Sequence, residues 1–434
     1  MQRSLQSGNW AIPLAYSAAA IVAGTCLPRI EHHLLPHLVS PLSTSAAIAI
    51  YSAIASGMIS LTGIVFSLTF VMVQFSATAY SPRLALWIAR SPVLSHALGI
   101  FSATFLYAVA ALSGVDRYNS GRVPFVSVCI VTALLFASVA ALIALIHRIA
   151  LLQVTRMLTF TGDQGRKVIR TTYPLAWSEE AVIPPARFRK SPPVLTLMYQ
   201  GEPQALQAID IVRLMNLARS SGAVIEIVVT VGDTVRDTTP LLHVFGARCV
   251  MQDNALRNAL KFGAERTFTQ DPKYAIRLLV DIAIRALSPA INDPTTAVQA
   301  LDQIEDLLFR LGCQNLNTGM FHDADDKLRL VIPFPGWEDF LRLALDEILS
   351  YGASSVQVIR RMNALVADLT SVLPEKRTAA LMYWEQRLRA TIARSFPDAE
   401  LQIEASVEDR QGLGIPRPRS TGTGQPRPQL HVSH

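Results

Sequence analysis

The sequence predicts an α-helical membrane protein with four transmembrane helices, followed by a cytoplasmic α+β domain that contains a small barrel-like β module and then helices. Only 17% of the 434 residues are charged, against about 25% in ordinary soluble domains. The hydropathy is also sharply uneven, because the apolar runs that are long enough to span a bilayer all lie in region 1–150. These two observations place the membrane part first and the water-soluble part after it.

Four apolar segments of the first region are long enough to cross a membrane. A bilayer core needs about 20 apolar residues in a helix, because each residue rises about 1.5 Å. The sequence provides such segments at about 10–27, 46–75, 93–114 and 123–146. Pro28 is expected to end the first segment, since proline cannot continue a helix easily. Four crossings place both termini on one side of the membrane.

The second segment is the longest of the four. Helices in lipid associate through close backbone approach over small residues and through shared hydroxyl hydrogen bonds. We therefore expect this helix to pack centrally, either in the bundle or in an oligomer. Its small residues are Ser52, Ala53, Ala55, Ser56, Gly57, Ser60 and Gly63.

No Asp, Glu, Lys or Arg falls inside the four predicted spans. Ionisable groups within a membrane usually mark proton relays and substrate sites, so their absence argues against a proton-coupled pump or carrier. A pore lined by hydroxyls, backbone and apolar constrictions is still compatible with the sequence. The polar residues at the end of the second helix are Ser67, Thr69, Gln74 and Ser76. The simpler interpretation is that they bond to neighbouring helices.

Positive charges near the ends of the spans predict the orientation, because loops rich in Lys and Arg stay in the cytoplasm. The side of the termini carries Arg3, Arg83, Arg90, Arg148 and Arg156, and the opposite side carries Arg29, Arg117 and Arg122. We therefore expect both termini and the large domain to be cytoplasmic.

Charge and cysteine content exclude several classes of function. Region 1–170 has 11 Lys and Arg against 3 Asp and Glu, whereas region 171–410 has 25 basic and 30 acidic residues. A nucleic-acid reader needs a basic stripe on its folded domain, so we expect no nucleic-acid partner. The four cysteines form no CxxC pair, which argues against a zinc site or a disulfide framework. We expect no cofactor, no metal and no enzymatic activity.

The rest of the chain divides by composition into a connector at 151–194, a β-rich module at 195–250, a mostly helical subdomain at 251–400 and a disordered basic tail at 411–434. The module contains GAVIEIVVTVGDTVRDTTPLLHVFG, which resembles the barrel-sandwich hybrid of biotinyl and lipoyl carrier domains. Its Gly-Asp pair suits a tight turn. The carriers need a lysine beside methionine at a hairpin tip, and this segment lacks it. An adaptor barrel is therefore the expected role.

The candidate functional residues concentrate in RTFTQDPKYAIRLLVDIAIRALSPAINDPTTAVQALDQIEDLL, which begins at Arg266. Two Asp-Pro pairs in this stretch have the pattern of a helix N-cap followed by proline at the first helical position. Three charged residues between them are four positions apart and share one helix face. The candidates are Arg266, Asp271, Arg277, Asp281, Arg285, Asn292, Asp293, Thr295 and Thr296, together with Arg83 at the membrane edge.

Two interpretations of these polar residues compete. In the structural interpretation Arg277, Asp281 and Arg285 form an ion-pair ladder, while Asn292 and Asp293 serve as turn and cap residues. In the functional interpretation an exposed helix N-terminus with a nearby arginine binds a small anion or another ligand, or the residues form an oligomer contact. The stretch supplies no nucleophile with a base, no metal cluster and no glycine-rich phosphate loop.

Three passages resemble the bacterial family of predicted membrane proteins that is catalogued as domain of unknown function 2254. They are the end of the second helix with Ser81-Pro82-Arg83-Leu84, the Val-Gly-Asp turn, and the long stretch from Arg266 to Ala297. The resemblance covers nearly the whole chain except the tail. It implies a bacterial inner-membrane location and anchoring by four helices, and it implies no particular activity.

Two functions are compatible with the sequence. The first is a homo-oligomeric channel or transport-like protein whose cytoplasmic domain gates or assembles the pore, with an ion or small anion as a possible ligand. The second is a membrane-anchored scaffold or sensor that recruits a cytoplasmic protein partner and transports nothing. A membrane enzyme is the weakest alternative, because general acid-base and nucleophilic sites need partners that the sequence does not nominate.

Overall fold

A computed structural model of the chain describes residues 8–34, 40–79, 92–115, 123–150, 154–177, 192–247, 249 and 251–415. The chain divides into two compact units, Met1–Met157 and Leu158–His434. We call them the membrane unit and the α/β unit and describe each by itself. Arg83 and most of the predicted basic tail lie outside the described residues.

The membrane unit contains four long apolar helices, α1 (Gly8–Leu34), α2 (Thr44–Ala79), α3 (Pro92–Leu112) and α4 (Phe125–Ala150). Each contains a stretch long and apolar enough to cross a membrane, namely Ala11–Glu31, Thr44–Ser67, Val93–Leu112 and Phe125–His147. The prediction of four spans is therefore confirmed at the level of length and composition.

Helix α3, and not α2, is the central helix within this chain. In α3, 44% of the residues of the span are buried, against 17% to 22% in the other three spans, and α1, α2 and α4 all pack against it. Glycines allow the close approach of α1 and α3, because a Cβ atom at Gly24 would lie 2.7 Å from that of Ala110. The expectation that α2 packs centrally is wrong for the single chain. Most of the short side chains of α2 face outward instead.

The first helix continues past Pro28 to Leu34, so the expected end of the first span is also wrong. Proline is tolerated inside membrane helices where neighbouring groups satisfy the freed backbone. The extension brings Glu31 into the helix with 5% of its surface exposed. The carboxylate accepts the amide N–H of Val126 at 3.0 and 3.2 Å and so caps the start of α4. The membrane unit thus has a buried acid at the end of one span.

Helix α5 (Val154–Thr172) occupies part of the predicted connector and leads into the α/β unit. Gly165 lets it lie close to two helices that follow, because a Cβ atom there would be 2.7 Å from Leu307 and 3.1 Å from Ala275. Arg166 adds an ion pair to Asp306 at 2.7 Å. Close packing and this ion pair hold α5 on the helical part of the α/β unit.

The β-strands form two open sheets and no closed barrel among the described residues, so the barrel-like module is not supported. The strands are β1 (Leu195–Met198), β2 (Gln204–Ile209), β3 (Val224–Ile227), β4 (Thr234–Val235), β5 (Pro240–Phe245), β6 (Leu260–Gly263), β7 (Met320–His322) and β8 (Leu328–Val331). One sheet has the order β1-β5-β3-β8-β7 and the other the order β4-β2-β6.

The predicted module fails as a barrel because its strands separate between these sheets. Strands β3 and β5 pair antiparallel, with Ile225 opposite Val244. On its other side β3 pairs in parallel with β8, which comes about 100 residues later, with Ile225 opposite Leu330. The Val-Gly-Asp turn then carries the chain into the second sheet, where Gly232 donates its N–H to the carbonyl of Leu206 at 2.8 Å.

The helices of the α/β unit are α6 (Ile211–Ser221), α7 (Asp253–Arg257), α8 (Pro272–Ala286), α9 (Pro294–Gly312), α10 (Trp337–Gly352), α11 (Val356–Val372), α12 (Glu375–Ser395) and α13 (Ala399–Ala405). The apolar face of α9 is buried, since Leu301, Ile304 and Leu308 have no exposed surface. Helices α8, α9, α10 and α11 pack on one another and form the helical core.

Candidate functional site

Both Asp-Pro pairs of the signature stretch start helices, as their pattern predicts. The carboxylate of Asp271 accepts the amide N–H of Tyr274 at 3.1 Å at the start of α8. Asp293 accepts the amide N–H of Thr296 at 3.1 Å at the start of α9 and also binds the Thr296 hydroxyl at 2.5 Å. These two aspartates therefore satisfy N–H groups that would otherwise lack partners.

Asp271 differs from Asp293 in its burial and its charged partner. Its side chain is 1% exposed and pairs with Arg266, whose Nη2 lies 2.7 Å from Oδ2. The Arg266 guanidinium also lies over the ring of Tyr274, 5.2 Å from its centroid. Burial raises the pKa of the Asp271 carboxyl, and the neighbouring Arg266 and Lys273 oppose that rise. The pair closes the short loop between β6 and α8.

The Val-Gly-Asp turn packs directly on this ion pair. Gly232 has φ +96°, a conformation that glycine adopts without strain. A Cβ atom at Gly232 would meet the Asp271 carboxylate and lie 2.9 Å from Nε of Arg266. Lys273 adds a hydrogen bond to the Thr230 hydroxyl at 2.8 Å. Two of the passages that carry the family resemblance are thus in contact with each other. We call this contact, between the turn at Gly232 and the Arg266–Asp271 pair, the turn junction.

Arg277 connects two helices. It donates to Asp281 on its own helix at 2.7 Å and makes a two-pronged contact with Glu347 on α10, including one hydrogen bond of 2.9 Å. The hydrogen bond to Glu347 is the largest influence that raises the pKa of Arg277, and the same bond lowers the pKa of Glu347. The predicted pair of Arg277 and Asp281 exists. Arg277 also pairs with Glu347, which lies on another helix.

The predicted ladder does not continue to Arg285. That residue forms no ion pair with any residue that the structure describes, and its side chain is partly exposed. Asn292 is exposed with φ +49°, the left-handed conformation that asparagine tolerates better than most residues. Thr295 is exposed as well. These three residues lie at the corner between α8 and α9, away from the turn junction.

The sequence reasoning missed Gly232 as a partner of Asp271 and missed Glu347 as a partner of Arg277. Glu347 lies 70 residues from Arg277, and a lone glutamate on an amphipathic helix gives no local signal of its partner. The sequence indicates Gly232 only as a turn residue. The predicted site residues thus separate into the turn junction, the Arg277 pairs and an exposed corner.

No group of three or more metal-binding side chains is present within the described ranges. The acidic loop near the start of β8 has a structural role, because Asp323 pairs with Arg329 at 2.7 Å. Asp323 also accepts the amide N–H groups of Asp325 and Lys327 at 3.0 Å each. The hydrogen bond from Arg329 is the first of the contacts that lower the pKa of Asp323 to about 2.

The α/β unit contains a cavity of about 570 Å³ that the sequence reasoning did not anticipate. Its wall includes Thr172 at the end of α5 and Leu175 just after it. It also includes Val231 and Gln270 beside the turn junction, and Thr318 and Phe334 near β7 and β8. Because the wall comes from several separate parts of the chain, no local pattern could have predicted it.

Comparison with known proteins agrees with the membrane architecture. Uncharacterized proteins of Mycobacterium bovis and Mycobacterium tuberculosis are each 28% identical to this chain over 449 aligned positions, which cover 96% of this chain and 84% of each relative. No solved structure matches the chain. The family model described as predicted membrane protein, DUF2254, matches residues 6–368. Since this match covers most of the chain, including all four candidate spans, the protein belongs to the DUF2254 family of predicted membrane proteins.

Proposed function

We propose that this protein forms a homo-oligomeric channel in the bacterial inner membrane, with both termini and the α/β unit in the cytoplasm, and that the α/β unit controls assembly or opening. The observation that carries the proposal is a stripe of small and hydroxyl-bearing residues on α2 that no described part of the single chain covers. The stripe consists of Ser52, Ser56, Ser60, Gly63 and Ser67, all exposed.

The stripe lies opposite the face by which α2 packs on its own bundle. That packed face contains Tyr51, Ala55, Met58 and Val65, all buried. At 3.6 residues per turn, the stripe points in nearly the opposite direction. Exposed bulky residues flank it, Ile59 on one side and Ile64 on the other. Bulky apolar side chains suit lipid, whereas small and hydroxylated ones suit another helix or a water-filled path.

The stripe also has room for close helix approach. A Cβ atom at Gly63 would meet no atom within 4 Å, so the described part of the chain leaves this surface open. If α2 helices of several copies meet here, their serine hydroxyls line the contact or the path between them. Glu31 is an ionisable group that is buried at the end of its span. The absence of ionisable groups therefore no longer argues against transport.

The test is reconstitution of the full-length protein into planar bilayers, with its oligomeric state measured by native mass spectrometry in detergent. Ser60→Leu should reduce conductance at least tenfold and dissociate the oligomer, because leucine fills the space over which helices approach. The matched control is Ile64→Leu on the flanking surface, which should leave both measurements unchanged. A conducting protein that is monomeric, or conductance unaffected by Ser60→Leu, would contradict the proposal.

A membrane-anchored scaffold or sensor is the second candidate, and exposed apolar residues at the end of the α/β unit favour it. Met382 and Tyr383 on α12 are 54% and 57% exposed, and Ile403 on α13 is 71% exposed. Such residues suit contact with a protein partner. A correctly inserted oligomer that conducts no ion would support this candidate against the channel.

A further inference from the structure

We propose that the cavity of the α/β unit is a binding site for an uncharged, partly apolar small molecule that carries hydrogen-bonding groups. This inference is independent of whether the protein conducts ions. The cavity volume of about 570 Å³ is within the range of about 300–1,000 Å³ that small-molecule sites occupy. The volume and the chemistry of the wall together identify the class of ligand.

The wall of the cavity is apolar with a few polar groups. Ile209, Val231 and Phe334 are examples of the apolar part, and the polar residues are threonines, asparagines and a glutamine. None of the lining residues is charged. A charged ligand would lose its hydration without gaining an opposite charge, which is costly in an apolar site. The chemistry therefore favours an uncharged ligand.

Two lining residues have hydroxyl groups that lack partners. The Oγ1 atoms of Thr172 and Thr318 are buried and make no hydrogen bond with the described part of the protein. Buried polar groups are almost always hydrogen-bonded, so such exceptions need an explanation. The carboxamide of Gln270, by contrast, is occupied by the backbone N–H and carbonyl of Ile209, at 2.8 and 3.1 Å. Each hydroxyl is buried as it stands, so a rotation about χ1 of the threonine would present it to a ligand in the cavity.

The position of these residues indicates what binding would affect. Thr172 is the last residue of α5, and α5 is packed on α8 and α9 through Gly165. Gln270 immediately precedes Asp271 of the turn junction. A ligand in the cavity would therefore contact both the end of α5 and the loop that starts α8. Binding would stabilise the arrangement of these two helices.

The experiment uses the full-length protein in lipid nanodiscs and two fluorinated probes observed by ¹⁹F NMR. The uncharged probe is 4-(trifluoromethyl)benzamide, and the charged comparison is 4-(trifluoromethyl)benzoate. Empty nanodiscs measure partition of each probe into lipid. We expect saturable line broadening by the benzamide beyond that background, and at least tenfold weaker binding of the benzoate.

Two variants locate the bound probe. Leu175→Trp fills the mouth of the cavity, where Leu175 is 59% exposed, and should abolish saturable binding. Thr318→Val removes a hydroxyl while it keeps the shape, and should weaken binding about fivefold. The control Met382→Trp adds the same ring on α12, outside the cavity, and should bind as the unmodified protein does. Thermal unfolding of each variant shows that it is folded.

Three outcomes would overturn the inference. They are no saturable benzamide binding above empty nanodiscs, equal binding of the benzamide and the benzoate, and binding that survives both Leu175→Trp and Thr318→Val in folded protein. The first would remove the site, the second its preference for uncharged ligands and the third its location.

Discussion

The two units treat their polar side chains differently. In the membrane unit the hydroxyls often bond within their own helix, as Thr62 does with the carbonyl of Met58 and Thr132 with that of Val128. In the α/β unit charged groups join separate helices, as Arg277 does with Glu347 and Arg361 with Asp302. The α/β unit therefore pairs these charged groups across its own tertiary contacts. The membrane unit leaves a hydroxyl-bearing surface of α2 available to something outside the described part of the chain.

The largest expected effect tests the α/β side of this comparison. Asp271→Ala removes a buried cap and leaves Arg266 without its partner, which should cost about 3 kcal/mol of unfolding free energy. In a unit of this size that is a fall of about 6–12 °C in the unfolding midpoint. Tryptophan fluorescence of the full-length protein in detergent can follow it, because Trp177, Trp337 and Trp384 all lie in the α/β unit.

The matched control for this change is Asp293→Ala. It removes the same kind of helix cap, which is also followed by proline, and Asp293 has no arginine partner among the described residues. We expect a cost of about 1 kcal/mol. Equal effects at the two positions would show that the turn junction contributes nothing beyond its cap.

The next effect tests the membrane side. Gly63→Leu should weaken self-association in detergent by about 1–2 kcal/mol, which is the order of strength of single interactions between membrane helices. The single chain should fold normally, because a Cβ atom at Gly63 would meet no atom within 4 Å among the described residues. Analytical ultracentrifugation in matched-density detergent measures the change. Unaltered self-association would mean that the open surface of α2 is covered by lipid.

A smaller effect is expected for Arg277→Ala, about 1 kcal/mol, because its partners are partly exposed and such ion pairs contribute little. The comparison variant is Arg285→Ala, one turn beyond Asp281, which should be close to neutral. The sequence alone also allows Arg277 and Asp281 to act in assembly. If Arg277→Ala changes the oligomeric state and leaves the unfolding midpoint unchanged, Arg277 acts in assembly. The contact with Glu347 then contributes nothing to stability.

The smallest effect is a pH dependence. The hydrogen bond from Arg277 lowers the pKa of Glu347 in the folded chain below its ordinary value of 4.5. A carboxyl with a lowered folded pKa contributes stability above its unfolded pKa, and that contribution is lost as the pH falls through the folded value. Between about pH 6 and about pH 3, Glu347→Gln should lose less stability than the unmodified protein. Parallel pH profiles of the unfolding midpoint would contradict this assignment.

Local patterns predicted the local features correctly. The four spans follow from runs of apolar residues, and the starts of α8 and α9 follow from two Asp-Pro pairs. The open sheets were not predictable in the same way, because β3 takes β8 as its neighbour from a distant part of the chain. Pro28 has the local pattern of a helix end, although the helix continues beyond it to Leu34. The cavity depends on tertiary packing alone.

The link between α4 and α5 is short. Helix α4 ends at Ala150 and α5 begins at Val154, so four Cα–Cα steps separate them, which span at most about 15 Å when fully extended. If the end of the fourth span moves farther than this from the start of α5, the connecting chain must pull on α5. Because Gly165 places α5 in close contact with Leu307, α5 has little freedom to slide. Only the few residues that connect the fourth span to α5 can therefore extend to allow the two helices to move apart.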